Sequence, residues 1–291
     1  MGIKMFLKGS KAIKLQKKGD TEAAIPIYEE AFAEGLNDPR FLLPYALLII
    51  RKGEYQKAKD FLVKHQKAPG MTPGQRVELM VYYSVCCYRL GNVDKGIDTL
   101  EQQFRKTETG LIYQTLGYLY VEKYDLSRKP DFAAAEMPAS EETPASEETP
   151  AAQETEKATE DAAEAGTEEA APRPLTPEEE WNAGVEKAEA FILKSLEYDD
   201  EDPICLDNMG QFIYRVKGDK EAARPWFDKA IALKDGQIDT LWFLSRYDLD
   251  GGDRNAAAEK LEKALEGRFS PLNYCDRDMV EKEIARLKGE N

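Results

Sequence analysis

The sequence predicts an all-α, right-handed solenoid of about six helix hairpins, closed by a C-terminal capping helix and interrupted by a disordered acidic insert. Three observations predict it. Glycine followed five residues later by alanine recurs at a stride of 34: Gly19 and Ala24 lead to Gly53 and Ala58, and Gly218 and Ala223 lead to Gly252 and Ala257. Self-similarity at a fixed period of about 20–50 residues marks stacked supersecondary units. Apolar residues around each echo fall at helical spacing, and helix-start signals precede them.

The second helix of each hairpin carries a small, a large and a mostly small residue at i, i+4 and i+7. The sets are Ala24–Tyr28–Ala31, Ala58–Leu62–His65, Gly96–Leu100–Gln103, Ala223–Phe227–Ala230 and Ala257–Leu261–Ala264. These positions share one helix face, where the small residue admits a neighbouring helix and the large one fills the gap. Before each turn glycine lies another apolar-periodic helix, beginning with Lys4 to Lys18. The fullest cases are Leu116–Gly117–Tyr118–Leu119–Tyr120 and Met209–Gly210 through Ile213. On these residues the chain resembles the tetratricopeptide repeat family, over residues 5–126 and 178–267, whose pattern is W-x2-L-G-x2-Y…A-x3-F…P. The early Trp of that pattern is largely absent, Lys11 replaces an apolar residue and Gly96 replaces Ala.

Boundary signals fit the same phasing. Asp38–Pro39 and Asp202–Pro203 set an N-cap before a first-turn proline. Thr72 with Gln75 and Thr176 with Glu179 read as capping boxes. Pro26 and Pro225 fall near the start of second helices, where a missing N–H costs least. Asp276 to Leu287 reads as a polar-faced helix that caps the stack.

Between Phe132 and Trp181 there is no aromatic residue, and Ala139–Pro144 is copied as Ala145–Pro150. Residues 131–177 carry a net charge of −11, which leaves −4 for the rest of a chain whose total is −15. Such a segment buries too little to offset its ordering entropy and is expected to be disordered. The helix ending near Tyr124 lacks a second helix. The helix from Glu178 to Leu196 lacks a first, and its face Trp181, Val185, Ala188, Ile192, Ser195 is of the second-helix type. The expected organisation is 1–127 for repeats one to three and the first helix of repeat four, 128–177 for the insert, and 178–291 for the remainder. One continuous solenoid is the simpler account; two three-repeat blocks on a tether are the alternative.

The acidity argues against nucleic-acid binding, which needs a basic surface. Phe41 to Ile50 is the longest apolar run at ten residues, half the ~20 needed to span a bilayer. The four cysteines lack C-x-x-C spacing, and a reduced, cytoplasmic setting is the plain reading. His65 is the only histidine and occupies a packing slot, so no ordinary nucleophile–His pair is available. Asp248, Asp250 and Glu259 fit three places of an EF-hand, but Gly252 and Asp253 break it. No glycine-rich phosphate loop is present. No catalytic residue, metal or cofactor is expected.

The resemblance implies a protein-interaction scaffold whose first helices line a concave groove. Lys17, Arg51 and Arg89 each lie two residues before a turn glycine and would align as a basic ladder. With Tyr88, Tyr118, Tyr214, Trp242 and Arg246 they form the candidate groove, suited to an acidic or aromatic-rich peptide. Cations at helix C-termini also complement the macrodipole, which needs no ligand. The Lys/Asn clamp of chaperone-tail-binding members is missing, since Leu43 and Pro44 stand where its Asn is expected. The lysine-rich first twenty residues fit a solvated end helix or a weak contact with an anionic membrane surface. The alternative function is a structural assembly or membrane-peripheral subunit whose groove another subunit fills.

Overall fold

A computed structural model describes residues 2–132 and 173–289. They form thirteen α-helices: α1 (Ile3–Lys17), α2 (Thr21–Ala33), α3 (Pro39–Arg51), α4 (Tyr55–His65), α5 (Pro73–Arg89), α6 (Val93–Phe104), α7 (Gly110–Tyr124), α8 (Pro177–Tyr198), α9 (Pro203–Gln211), α10 (Lys220–Leu233), α11 (Ile238–Asp250), α12 (Arg254–Leu265) and α13 (Arg277–Lys288). A short 3₁₀ turn, Leu126–Arg128, follows α7, and α9 runs on into a π-helical segment, Phe212–Lys217. No strand occurs among the described residues. The expected insert falls largely on 133–172, outside the described residues.

Met1–Lys129 and Gly184–Asn291 make one compact unit, and Pro130–Ala183 a second. Within the second, Thr176 and Glu179 form the capping box that opens α8, and Arg173 donates to Glu179 at 2.8 Å.

Within the first unit, α1 to α7 pack each against the next, as do α9 to α13, and α3, α5, α7 and α9 also pack in succession. The small–large–small stripes form its core. Ala24, Tyr28, Ala31, Ala58, Leu62, Leu100, Ala188, Ile192, Ala223, Phe227, Ala230, Ala257, Leu261 and Ala264 are all completely buried. At Gly96 a Cβ would lie 3.0 Å from the Ser84 carbonyl oxygen, which explains glycine where the pattern wants alanine. The turn glycines 19, 53, 91, 218 and 252 adopt φ between +73° and +85°, a region costly for any other residue. From Gly184 onward, α8 lies against α6 and α7, with Phe191 5.2–5.4 Å from the rings of Phe104, Tyr113 and Tyr120.

Helix starts follow the sequence signals. Asp38, Thr72, Asp202 and Asp276 all cap, and Thr72 with Gln75 completes its box. Pro26 and Pro225 lie deeper than the first turn, as the sixth residue of α2 and of α10. Each therefore removes one intrahelical bond, to the carbonyls of the exposed Glu22 and Glu221. His65 is buried between Phe32 and Phe61, and its Nδ1 lies 3.0 Å from Asn37 Oδ1.

Candidate functional site

The first helices of successive hairpins turn branched apolar side chains toward a common interior. Leu47 and Ile50 come from α3, Val81 and Val85 from α5, Leu111 from α7 and Ile204 from α9. They surround a pocket of about 490 Å³. Its remaining wall is unexpected: the segment between α12 and α13 folds back, so that Arg268 and Ser270 through Asn273 line the same space.

That segment is held by a buried acid. Asp239, in the first turn of α11, accepts hydrogen bonds from Asn273 Nδ2 at 3.0 Å, Tyr274 N–H at 3.0 Å and Cys275 N–H at 3.3 Å. The loop also bonds within itself, Ser270 N–H donating to Asn273 Oδ1 at 2.7 Å. Tyr274 then lies 5.1 Å from the Phe243 ring. A second buried acid, Asp207 of α9, accepts from Thr240 Oγ1 and from Gln211 Nε2. Burial raises the pKa of both carboxyls, and the charge on Asp239 adds to the rise at Asp207.

A carboxyl whose folded pKa exceeds its unfolded value binds its proton more tightly in the folded chain. Stability then falls as pH rises from the ordinary carboxylate range, about 4, to the folded pKa, and is level above it. Asp207→Asn keeps a partner for Gln211 Nε2 through its oxygen and can donate to the Thr240 hydroxyl. Thermal melts between pH 5 and 8 should show a smaller loss of Tm with rising pH in this variant than in the wild type; parallel curves would contradict the assignment.

A second pocket, of about 670 Å³, shares Arg268 with the first. Lys17, Arg40, Arg51 and Arg268 line it, and no Asp or Glu does. Arg40 is held by Asp38, with Nε–Oδ1 at 3.0 Å. Among the described residues, Lys17, Arg51 and Arg268 form no ion pair. Burial lowers the pKa of Arg51, and the neighbouring Arg268 charge lowers it further. Two like charges held together without a counter-ion are unfavourable in the protein alone.

A third pocket, also about 490 Å³, is polar and lined by Tyr88, Tyr214, Tyr274 and an ion cluster. Arg215, on the π-helical segment, donates to Glu122 at 2.6 Å and to Asp125 at 2.7 Å.

The candidate groove residues thus fall in several places. Lys17 and Arg51 share the cationic pocket. Tyr118 lines the apolar pocket and meets Tyr88, which lines the polar one with Tyr214, at 3.3 Å between hydroxyl oxygens. Arg89 lies over Tyr55, 5.4 Å from the ring centroid, and lines none of the three pockets. Arg246 stacks on Trp242 at 4.3 Å and pairs with Glu283 of α13 at 2.6 Å, away from all three. Sequence reasoning missed Arg268, Asp207, Arg215, Gln237 and Asp239. Asp207 carried a signal, being an acid inside the apolar stretch Ile204–Met209; Arg268, in a loop without periodicity, carried none.

The family model described as anaphase-promoting complex, cyclosome, subunit 3 matches residues 17–103. Among solved structures, TTC0263, a thermophilic TPR protein of Thermus thermophilus, superposes with a TM-score of 0.55 at 14% identity, covering 86% of this chain and 99% of that one. The chain has the tetratricopeptide-repeat fold. The repeat protein is also similar to PilW, a type IV pilus biogenesis factor, with a TM-score of 0.55, 12% identity and coverage of 94% and 98%. The APC/C hetero-tetramer Cut9–Hcn1 gives 0.55 at 13% identity, covering 95% of this chain and 41% of that one. No curated protein matches the sequence. Among the described residues no helix is long and apolar enough to cross a membrane, and no cluster of three His, Cys, Asp or Glu could hold a metal ion.

Proposed function

We propose that this tetratricopeptide-repeat chain is a non-catalytic, cytoplasmic scaffold that takes a protein segment along the inner face of its first helices. The observation that carries the reading is the trio Lys17, Arg51 and Arg268, which form no ion pair among the described residues of a protein of net charge −15 and lie beside an apolar wall. Such cations attract carboxylates. The segment is therefore an acidic one, with apolar or aromatic residues that contact the face around Tyr118. In this reading α7 and α8 are the two halves of one repeat, separated in sequence by the acidic insert, and 1–127 and 178–291 act as one solenoid.

Affinity capture from the source cells tests it. Arg51→Glu/Arg268→Glu should reduce recovery of groove ligands at least tenfold relative to wild type, with far-UV circular dichroism unchanged. Recovery of the same partners at the same level would move the binding site off this face. Arg89→Glu alone should have little effect, because Arg89 is engaged with Tyr55 rather than with the pocket.

A further inference from the structure

The apolar pocket contains an unmet polar requirement. Gln237, the N-cap of α11, is buried at 7% exposure and lines the pocket. Its Nε2 donates to the Pro203 carbonyl at 2.7 Å, which fixes the amide orientation and leaves Oε1 buried with no donor among the described residues. A buried acceptor without a partner costs about 1–3 kcal/mol, so the site favours whatever supplies one. The charges around the pocket are also unequal in what they have left to bind. Both acids, Asp207 and Asp239, are engaged by protein donors. Both cations, Lys234 and Arg268, line the pocket and form no ion pair among the described residues. The volume of about 490 Å³ lies within the range of about 300–1,000 Å³ typical of small-ligand sites.

We propose that this pocket binds a small amphipathic organic acid. Its apolar or aromatic body lies between α3, α5, α7 and α9, an N–H or O–H of the ligand donates to Gln237 Oε1, and its anionic group faces Arg268. The carboxylates in the same pocket do not oppose this. Their oxygens are already bonded by protein donors, and burial raises the pKa of both carboxyls. The site shares Arg268 and Tyr118 with the face proposed to take a protein segment, so the small acid and the segment compete for it. It is assembled from parts distant in sequence, since Leu47 and Arg268 are brought together only by the returning loop.

The test uses anilinonaphthalene sulfonate, which combines an aromatic body, an N–H donor and an anion, titrated into the full-length chain and followed by fluorescence. One saturable site per chain is expected. 6-Hydroxy-2-naphthoate should displace the probe at least tenfold more tightly than the neutral alcohol 6-(hydroxymethyl)-2-naphthol, both carrying the phenolic O–H that Gln237 Oε1 requires. Leu47→Trp/Leu111→Trp, at positions half-buried and exposed, should fill the space and weaken probe binding at least tenfold. Leu193→Trp, at an exposed position outside the pocket, should leave it unchanged. Arg268→Ala, an exposed loop change that should not affect folding, should remove the preference for naphthoate over the alcohol. Non-saturating or multiple binding, or affinity unmoved by both the tryptophan pair and Arg268→Ala, would overturn the site. Equal displacement by acid and alcohol in the wild type would overturn its anionic specificity.

Discussion

Replacing Arg215 with alanine is expected to lower stability by about 3–5 kcal/mol and Tm by roughly 10 °C. The reason is what the substitution leaves behind. The Arg215 side chain is 6% exposed, and its partners Glu122 and Asp125 are 4% and 14% exposed. The guanidinium spans both carboxylates, donates to Gln211 Oε1 at 2.8 Å and stacks on Tyr274 at 4.2 Å. Burial works against the charge on Asp125, but hydrogen bonds from Ser127 and the Arg215 charge outweigh it and hold its pKa below the usual range. Without Arg215, Glu122 retains Tyr88 at 2.8 Å and Arg128 at 3.2 Å, and Asp125 retains Ser127. Arg128, 52% exposed, is then a single cation against two anions. Arg215→Lys keeps the charge but not the fork, and should fall between alanine and wild type. Arg215→Met/Glu122→Gln should recover part of the loss, because it removes a cation together with one of the anions. Urea unfolding measures all three. A loss under 1 kcal/mol for Arg215→Ala would mean that the carboxylates swing out to solvent and that the cluster does not join α7 to α9.

Most of what folds this chain is local, and local signals are legible in sequence. A capping Asp or Thr, a turn glycine with positive φ and a stripe at i, i+4, i+7 each act within a dozen residues. A 34-residue stride repeats them in phase, so helix starts at Pro39, Pro73, Pro203 and Arg277 could be read directly. The sites are legible only where they reuse that stride. Lys17 and Arg51 occupy equivalent positions and do meet in one pocket. Arg268 has no equivalent. It reaches them because Asp239 captures the backbone of Tyr274 and Cys275, an interaction with no periodic trace. Arg215 was hidden differently. Phe212–Lys217 has the composition of an ordinary helix, yet it winds as a π-helix, and the wider turn delivers a residue three before Gly218 to Glu122 and Asp125. Wider turns of this kind recur at functional sites because they re-aim side chains.

A close helix contact in the C-terminal half gives the second large effect. Phe227 is completely buried, stacked on Phe243 at 5.1 Å with the rings 8° from parallel. Its edge reaches α9, where a Cβ on Gly210 would lie 2.7 to 3.0 Å from three atoms of the ring. Glycine is thus required at 210 by the size of residue 227, and the two positions should be energetically coupled. Phe227→Ala should cost about 3–5 kcal/mol, through lost burial and an incompletely collapsed cavity. Gly210→Ala should cost about 1–3 kcal/mol of overpacking, less up to about 1 kcal/mol gained from helix propensity. In the double variant the new methyl group enters the space the ring has left, so the clash disappears while the propensity gain remains. Its total should therefore fall short of the sum of the singles by at least about 1 kcal/mol. A urea double-mutant cycle reads this difference, and additivity would show that the α9–α10 approach is set by something other than the ring.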